Sequence, residues 1–326
     1  MISIKAMTEP TIPAPRQKKF LPLSVLLGGV GAYIAILIVL VVTQNSNLFP
    51  ALLLVGSLTV PLAVLLWAAR GPHGDLAPGG IIVATVLAGG VTGILLAGVF
   101  ESIAAAAVGE GVILFVGIIE ETAKLIVPLV VLRIAYPRTT HGGVVIGVAA
   151  GAGFAVLETM GYGFNALLEK GAGLGAVDAT LLVRGIFAPA GHIAWTGILC
   201  AAIWYWRSGR RNGLGAFATF GTWIAVIVLH TVWDAAASIP VHVIVGTLSL
   251  GALIWVVNST HHSHPGAEPP RGPMPPWQAQ QPYAPHPVPP MAPQMRPYGQ
   301  GDPNAWPHPV DPNQAPGSGR PGPVNP

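Results

Sequence analysis

Long apolar runs separated by short polar breaks fill the chain as far as about residue 257. A helix rises 1.5 Å per residue and the hydrocarbon core of a bilayer is about 30 Å thick, so about 20 mostly apolar residues make one crossing. Eight segments reach that length, near 22–43, 49–69, 80–100, 111–134, 143–165, 186–206, 214–236 and 239–257. The pattern predicts an all-α fold, a polytopic transmembrane helical bundle of about eight spans. The first run follows Arg16, Lys18 and Lys19. It is too long for a signal peptide and no small-residue cleavage site follows, so it reads as a retained anchor. Glycines four apart, as in Gly89–Gly93 and Gly147–Gly151, predict close helix packing. Pro128 and Pro189 fall inside spans 4 and 6 and predict kinks that open a path for water.

The pattern changes near Ser259. Residues 265–326 hold 21 of the 33 prolines, among Gly, Gln and isolated aromatics such as Trp277 and Tyr298. Such a segment buries too little apolar surface to offset its ordering entropy, and it predicts a disordered cytosolic tail of polyproline character. The organisation expected is a cytosolic segment 1–21, a transmembrane domain 22–258 and the tail 259–326, for which some cytosolic partner is implied. His261, His262 and His264 on a floppy stretch make at most a weak metal site.

Composition agrees with a membrane protein. Hydrophobic residues are 52% and charged residues 9%, where a soluble domain carries roughly a quarter charged. Cys200 is alone, which excludes a disulfide within the chain. The net charge of +3 comes with no basic patch interleaved with aromatics, so nucleic acid is not an expected partner. Lys and Arg collect on the cytosolic side of membrane proteins. With a cytosolic N-terminus, the inner side receives Lys5, Arg16, Lys18, Lys19, Arg70, Arg133, Arg138, Arg207, Arg210 and Arg211, and the outer loops only Lys170. The expectation is a multi-pass protein of a bacterial-type plasma membrane with both termini cytosolic.

Against this background the polar residues inside the spans carry the chemistry. Each charged side chain at mid-membrane costs about 2.5–3.5 kcal/mol on insertion scales. Span 4 contains Glu120, Glu121 and Lys124, span 5 Glu158, span 6 His192, and span 7 His230 and Asp234 on one helix face. Measured from the outer ends of the spans at 1.5 Å per residue, the span-4 glutamates lie about 14 Å deep. Glu158 and His230 lie about 10 Å deep, His192 about 9 Å and Asp234 about 4 Å. Four helices of alternating direction therefore place their polar residues in one slab of the outer leaflet. Lys124 is within helical reach of both glutamates and can neutralise one, leaving the other free. Two routes to an activated water stay open. A carboxylate acts as general base with His and Asp stabilising the oxyanion, or Glu158, His192 and His230 hold Zn²⁺ with a span-4 glutamate as base. Phe154 reads as packing, His242 as interfacial, Glu101 and Glu110 as solvated ends of the span 3–4 loop, and Asp178 and Arg184 as the outer mouth.

The motifs Glu120-Glu121-x-x-Lys124, Phe154-x-x-x-Glu158, a separate His192, and His230-x-x-x-Asp234, in this order over about residues 110–240, resemble the PrsW family of intramembrane proteases. The wider superfamily includes CAAX prenyl endopeptidases and bacteriocin-immunity (Abi) proteins. The resemblance implies a membrane-anchored protein substrate, such as an anti-sigma factor cut at site one. It further implies Glu120 and Glu121 as the source of the base, with Glu158, His192 and His230 as partners or metal ligands. A metalloprotease and a metal-free, glutamate-dependent endopeptidase both fit it. The rival readings are a non-enzymatic Abi-like immunity or scaffold protein and an ion or proton transporter, since intramembrane Glu and His chains also form relays.

Overall fold

The computed structural model describes residues 20–70, 77–134, 139–169, 173–207 and 213–261. The Pro-rich tail with His262 and His264, the basic flank before the first run, and the loop charges Arg138, Lys170, Arg210 and Arg211 lie outside the described residues. Among those described, the fold is all-helical. The helices are α1 (Leu21–Thr43), α2 (Phe49–Ala68), α3 (Gly79–Val108), α4 (Ile113–Ala123), α5 (Ile126–Ile134), α6 (Thr140–Leu168), α7 (Gly173–Phe187), α8 (His192–Arg207), α9 (Gly213–Ala235) and α10 (Ile239–His261).

Among the described residues, seven continuous helical stretches are long and apolar enough to cross a bilayer, where the hydropathy pattern suggests eight. The third explains the difference. Gly79–Ile134 is 56 residues long, about 84 Å if straight. It turns back at Gly109, whose φ of 60° is easy for a residue without Cβ. Helices α4 and α5 then pack along α3, so this one stretch contains two of the eight expected segments.

Helix α6 is the axis of the bundle, buried continuously from Thr140 to Val156. Small residues make that possible. A Cβ on Gly147 would stand 2.5 Å from the Thr196 carbonyl oxygen of α8, and one on Gly151 2.5 Å from that of His192. Gly153 abuts the Val86 carbonyl of α3 even more closely. The glycine pairs therefore do what their spacing suggests, letting backbones meet where lipid supplies no hydrophobic drive. Gly153→Ala is expected to force α3 and α6 apart and lower stability by about 1–3 kcal/mol, read as a drop in the unfolding temperature of the detergent-solubilised protein. Gly161→Ala, where an added Cβ meets nothing within 4 Å, should leave it unchanged.

Two breaks position the site. Proline cannot donate to the carbonyl four residues back, and Pro128 denies that bond to Lys124. Helix α4 ends at Ala123 and α5 starts at Ile126, leaving Lys124 on the break. At Pro189 a short 3-10 turn, Ala188–Ala190, separates α7 from α8, which puts His192 at the first position of α8. The sixth pass begins well before the expected residue 186. Helix α7 runs antiparallel to the far end of α6, with Leu181 against Gly163, and α8 continues along its near end, with Trp204 against Gly143.

Polar latches hold the periphery. Tyr33 of α1 donates to Asp178 Oδ1 of α7 at 2.6 Å. His141 Nε2, at the start of α6, lies 2.9 Å from the Arg70 carbonyl oxygen. Outward faces carry apolar side chains such as Leu27, Ile34, Leu248 and Trp255, as a surface in contact with acyl chains requires.

Candidate active site

Side chains from α4, α6, α8 and α9 converge at the two helix breaks. All seven residues singled out from the sequence, Glu120, Glu121, Lys124, Glu158, His192, His230 and Asp234, belong to one connected cluster. Glu120, Glu121, Lys124 and His230 are buried. Asp234 keeps a quarter of its side chain exposed.

Lys124 is the hub. Its Nζ donates to Glu120 Oε2 at 2.9 Å and to Glu121 Oε1 at 2.8 Å, and lies 2.7 Å from His192 Nδ1. The spacing lets it neutralise one carboxylate; it binds both, since its backbone is still helical and puts it one turn from Glu120 and Glu121 at once. The Phe154 ring closes the fourth side, its centroid 4.1 Å from Nζ, and also lies 5.2 Å from the His192 ring. Phe154 therefore serves the cluster directly through its π-face rather than filling space a turn away.

The two imidazoles face each other, ring centroids 5.1 Å apart. His192 Nε2 lies 2.8 Å from Glu158 Oε2, while its Nδ1 is 3.7 Å from Glu120 Oε2. His230 Nδ1 lies 2.9 Å from Glu121 Oε1, while its Nε2 is 3.5 Å from Glu120 Oε2 and 3.2 Å from Asp234 Oδ2. Each ring thus has a carboxylate behind it; the other nitrogen of His192 meets Lys124 Nζ at 2.7 Å, and that of His230 lies between Asp234 and Glu120. Trp195 stacks on His230 at 4.7 Å and 30°, and its indole N–H is anchored by Ser249 Oγ at 2.9 Å.

This geometry suits a metal. Ligand atoms of Glu120, His192 and His230 all lie within 4.8 Å of one another. Zinc binds such N and O donors at about 2.0–2.2 Å, which puts tetrahedral neighbours about 3.3 Å apart, close to the 3.5 and 3.7 Å from Glu120 Oε2 to the two rings. A carboxylate on the opposite nitrogen of each imidazole is the usual support of metal-ligating histidines. The donor set is that of a zinc site, although Glu120 Oε2 and His192 Nδ1 accept here from the Lys124 ammonium at 2.9 and 2.7 Å, so a metal bound to them requires Lys124 to swing aside. The carboxylate in the group is Glu120, where Glu158 was expected; Glu158 stands behind His192 instead.

Two further residues belong to the cluster: Arg184, expected at the outer mouth, and Glu101, expected in the loop. Arg184 of α7 reaches Glu158 Oε2 with Nη2 at 2.6 Å and lies over the Tyr162 ring at 3.8 Å. Glu101, expected to be a solvated loop residue, sits inside α3 and is partly buried. Its Oε1 is buried without a partner. Glu110 is exposed, as expected. A signal for Glu101 was the apolar run continuing beyond it to Val108.

Membrane-spanning helices around a buried carboxylate–imidazole group able to hold a metal define an intramembrane metallohydrolase. Residues 77–259 match the model of the PrsW family intramembrane metalloproteases. That is more than half of the chain, and the chain belongs to this family: it is an intramembrane metalloprotease and its substrate is protein. The match starts before α3 and so takes in Glu101. Comparisons with curated proteins and with solved structures gave no match.

Proposed function

We propose that the chain hydrolyses a peptide bond in or beside the transmembrane segment of a membrane-anchored protein, at the cluster of Glu120, His192 and His230. The observation that carries this reading is the carboxylate behind each imidazole, which holds two rings of two different helices with their other nitrogens 3.7 and 3.5 Å from one oxygen of Glu120.

Glu120, His192 and His230 would hold zinc, whose chemistry here is to polarise the scissile carbonyl and acidify the attacking water. Glu121 positions His230 by accepting from Nδ1–H, so that Nε2 faces the reacting centre. Glu158 does the same for His192 and is itself held by Arg184. Lys124 balances the carboxylates. Asp234 is the general base in this account: it is the most exposed carboxylate of the cluster and adjoins His230 Nε2 at 3.2 Å. It takes the water proton and returns it to the departing amine.

With the N-terminus cytosolic, as the Lys and Arg bias supports, the cluster lies in the outer leaflet and reaches the extracytoplasmic end of a substrate helix. An anti-sigma factor cut at site one is the substrate suggested by resemblance. The test is cleavage of a single-span protein co-reconstituted with the full chain in vesicles. Asp234→Asn should lower turnover about 10²–10⁴-fold and leave the metal content unchanged. Normal turnover in that variant would remove Asp234 from the role of base.

A further inference from the structure

A cavity of about 260 Å³ adjoins the cluster, and His192 forms part of its wall. Phe187, Trp195 and Trp233 form another part, with Phe187 edge-on to Trp233 at 5.5 Å and Trp195 edge-on to it at 6.4 Å. The mouth lies between α7 and the start of α10, at Val183 and Ile239, which are 54% and 78% exposed. These two residues are apolar, as a chain arriving from the bilayer requires, while His242, Arg184 and Thr159 supply the polar part of the lining.

We propose that this cavity is the subsite for a large aromatic side chain of the substrate segment, next to the bond that is cut. The inference rests on the protease reading above and adds the class of side chain selected. Three observations carry it. The wall shared with His192 means that a side chain seated here has its own backbone at the reacting centre. The volume exceeds the roughly 150 Å³ in which an apolar cavity accepts benzene, so a phenyl or indole ring fits with room for its stem. The facing rings present edges and faces to a guest ring, an arrangement that adds to burial alone. Arg184 also lines the cavity, yet its guanidinium is committed to Glu158 at 2.6 Å. An acidic guest would therefore have to break that pair, and a neutral ring would not.

The experiment uses the full chain in vesicles with a single-span substrate whose cut site is first located by mass spectrometry. Ala, Val, Phe and Trp are then placed in turn at each position flanking the cut. At one flanking position Phe or Trp should raise kcat/KM about tenfold or more over Ala. Val183→Trp, which narrows the mouth, should erase that preference, and Phe187→Ala, which widens the cavity, should move it from Phe toward Trp. A second readout does not need cleavage. Maleimide labelling of the cysteine in Val183→Cys, against a background of buried Cys200, should be slowed by the Phe-bearing peptide and not by its Ala counterpart. Equal rates for all four residues at normal turnover would overturn the subsite and leave the protease reading intact. Ring-selective protection without any cleavage would leave the subsite and overturn the protease reading. Protection without ring selectivity would overturn the subsite by itself.

Discussion

Glu120→Gln should abolish proteolysis, with turnover falling by about three orders of magnitude or more. Oε2 of this residue is the point to which the rest of the site is directed: Lys124 Nζ at 2.9 Å, His230 Nε2 at 3.5 Å and His192 Nδ1 at 3.7 Å. A neutral amide of the same shape loses the charge that holds a cation there and offers N–H donors where an acceptor is needed. The neighbouring Glu121→Gln should behave differently. Glu121 touches the centre only through His230 and Lys124, so its loss should act as that of an outer-shell partner does, by about 10–100-fold in metal affinity or activity. Turnover assays with metal titration separate the two. Equal loss in both variants would mean that the glutamates act as one unit.

Lys124→Met should be the most damaging substitution for stability. The side chain is buried, and its ammonium is shared by two carboxylates and an imidazole. Methionine fills similar volume without charge, and removing one partner of a buried ion pair costs about 3–5 kcal/mol because the other charge is left uncompensated. The expected result is a large drop in unfolding temperature in detergent together with poor accumulation in the membrane. Unfolding unchanged from the parent would show that the carboxylates find another counter-charge.

The site was legible in the sequence because the membrane makes it so. A charged residue in an apolar run is costly enough that Glu120, Glu121, Lys124, Glu158, His192, His230 and Asp234 stand out without any alignment, and their shared depth indicates that they meet. Depth along a helix is set by residue count, whereas the direction in which a side chain points is not. For that reason Glu158 was readable as a member of the site, yet not as the carboxylate behind His192. Helix α7 escaped notice because Asp178, Arg184 and its glycines interrupt the hydropathy that marks a crossing; the charges are satisfied within the bundle by Tyr33 and Glu158. Glu101 lay at the end of an apolar window and read as loop, although the helix runs a further two turns beyond it. The prolines were the more informative signals. Pro128 and Pro189 mark the two breaks beside which Lys124 and His192 stand.

Lys124 Nζ lies 2.9 Å from Glu120 Oε2 and 2.7 Å from His192 Nδ1, two of the three atoms that would hold zinc. Zinc content measured on the purified full-length protein tests most directly whether a metal is bound there. The account predicts close to one zinc ion per chain, lost in the His192→Ala, His230→Ala double variant and retained in Asp234→Asn. A double variant that still carries one ion per chain would contradict it, since neither imidazole would then be a ligand.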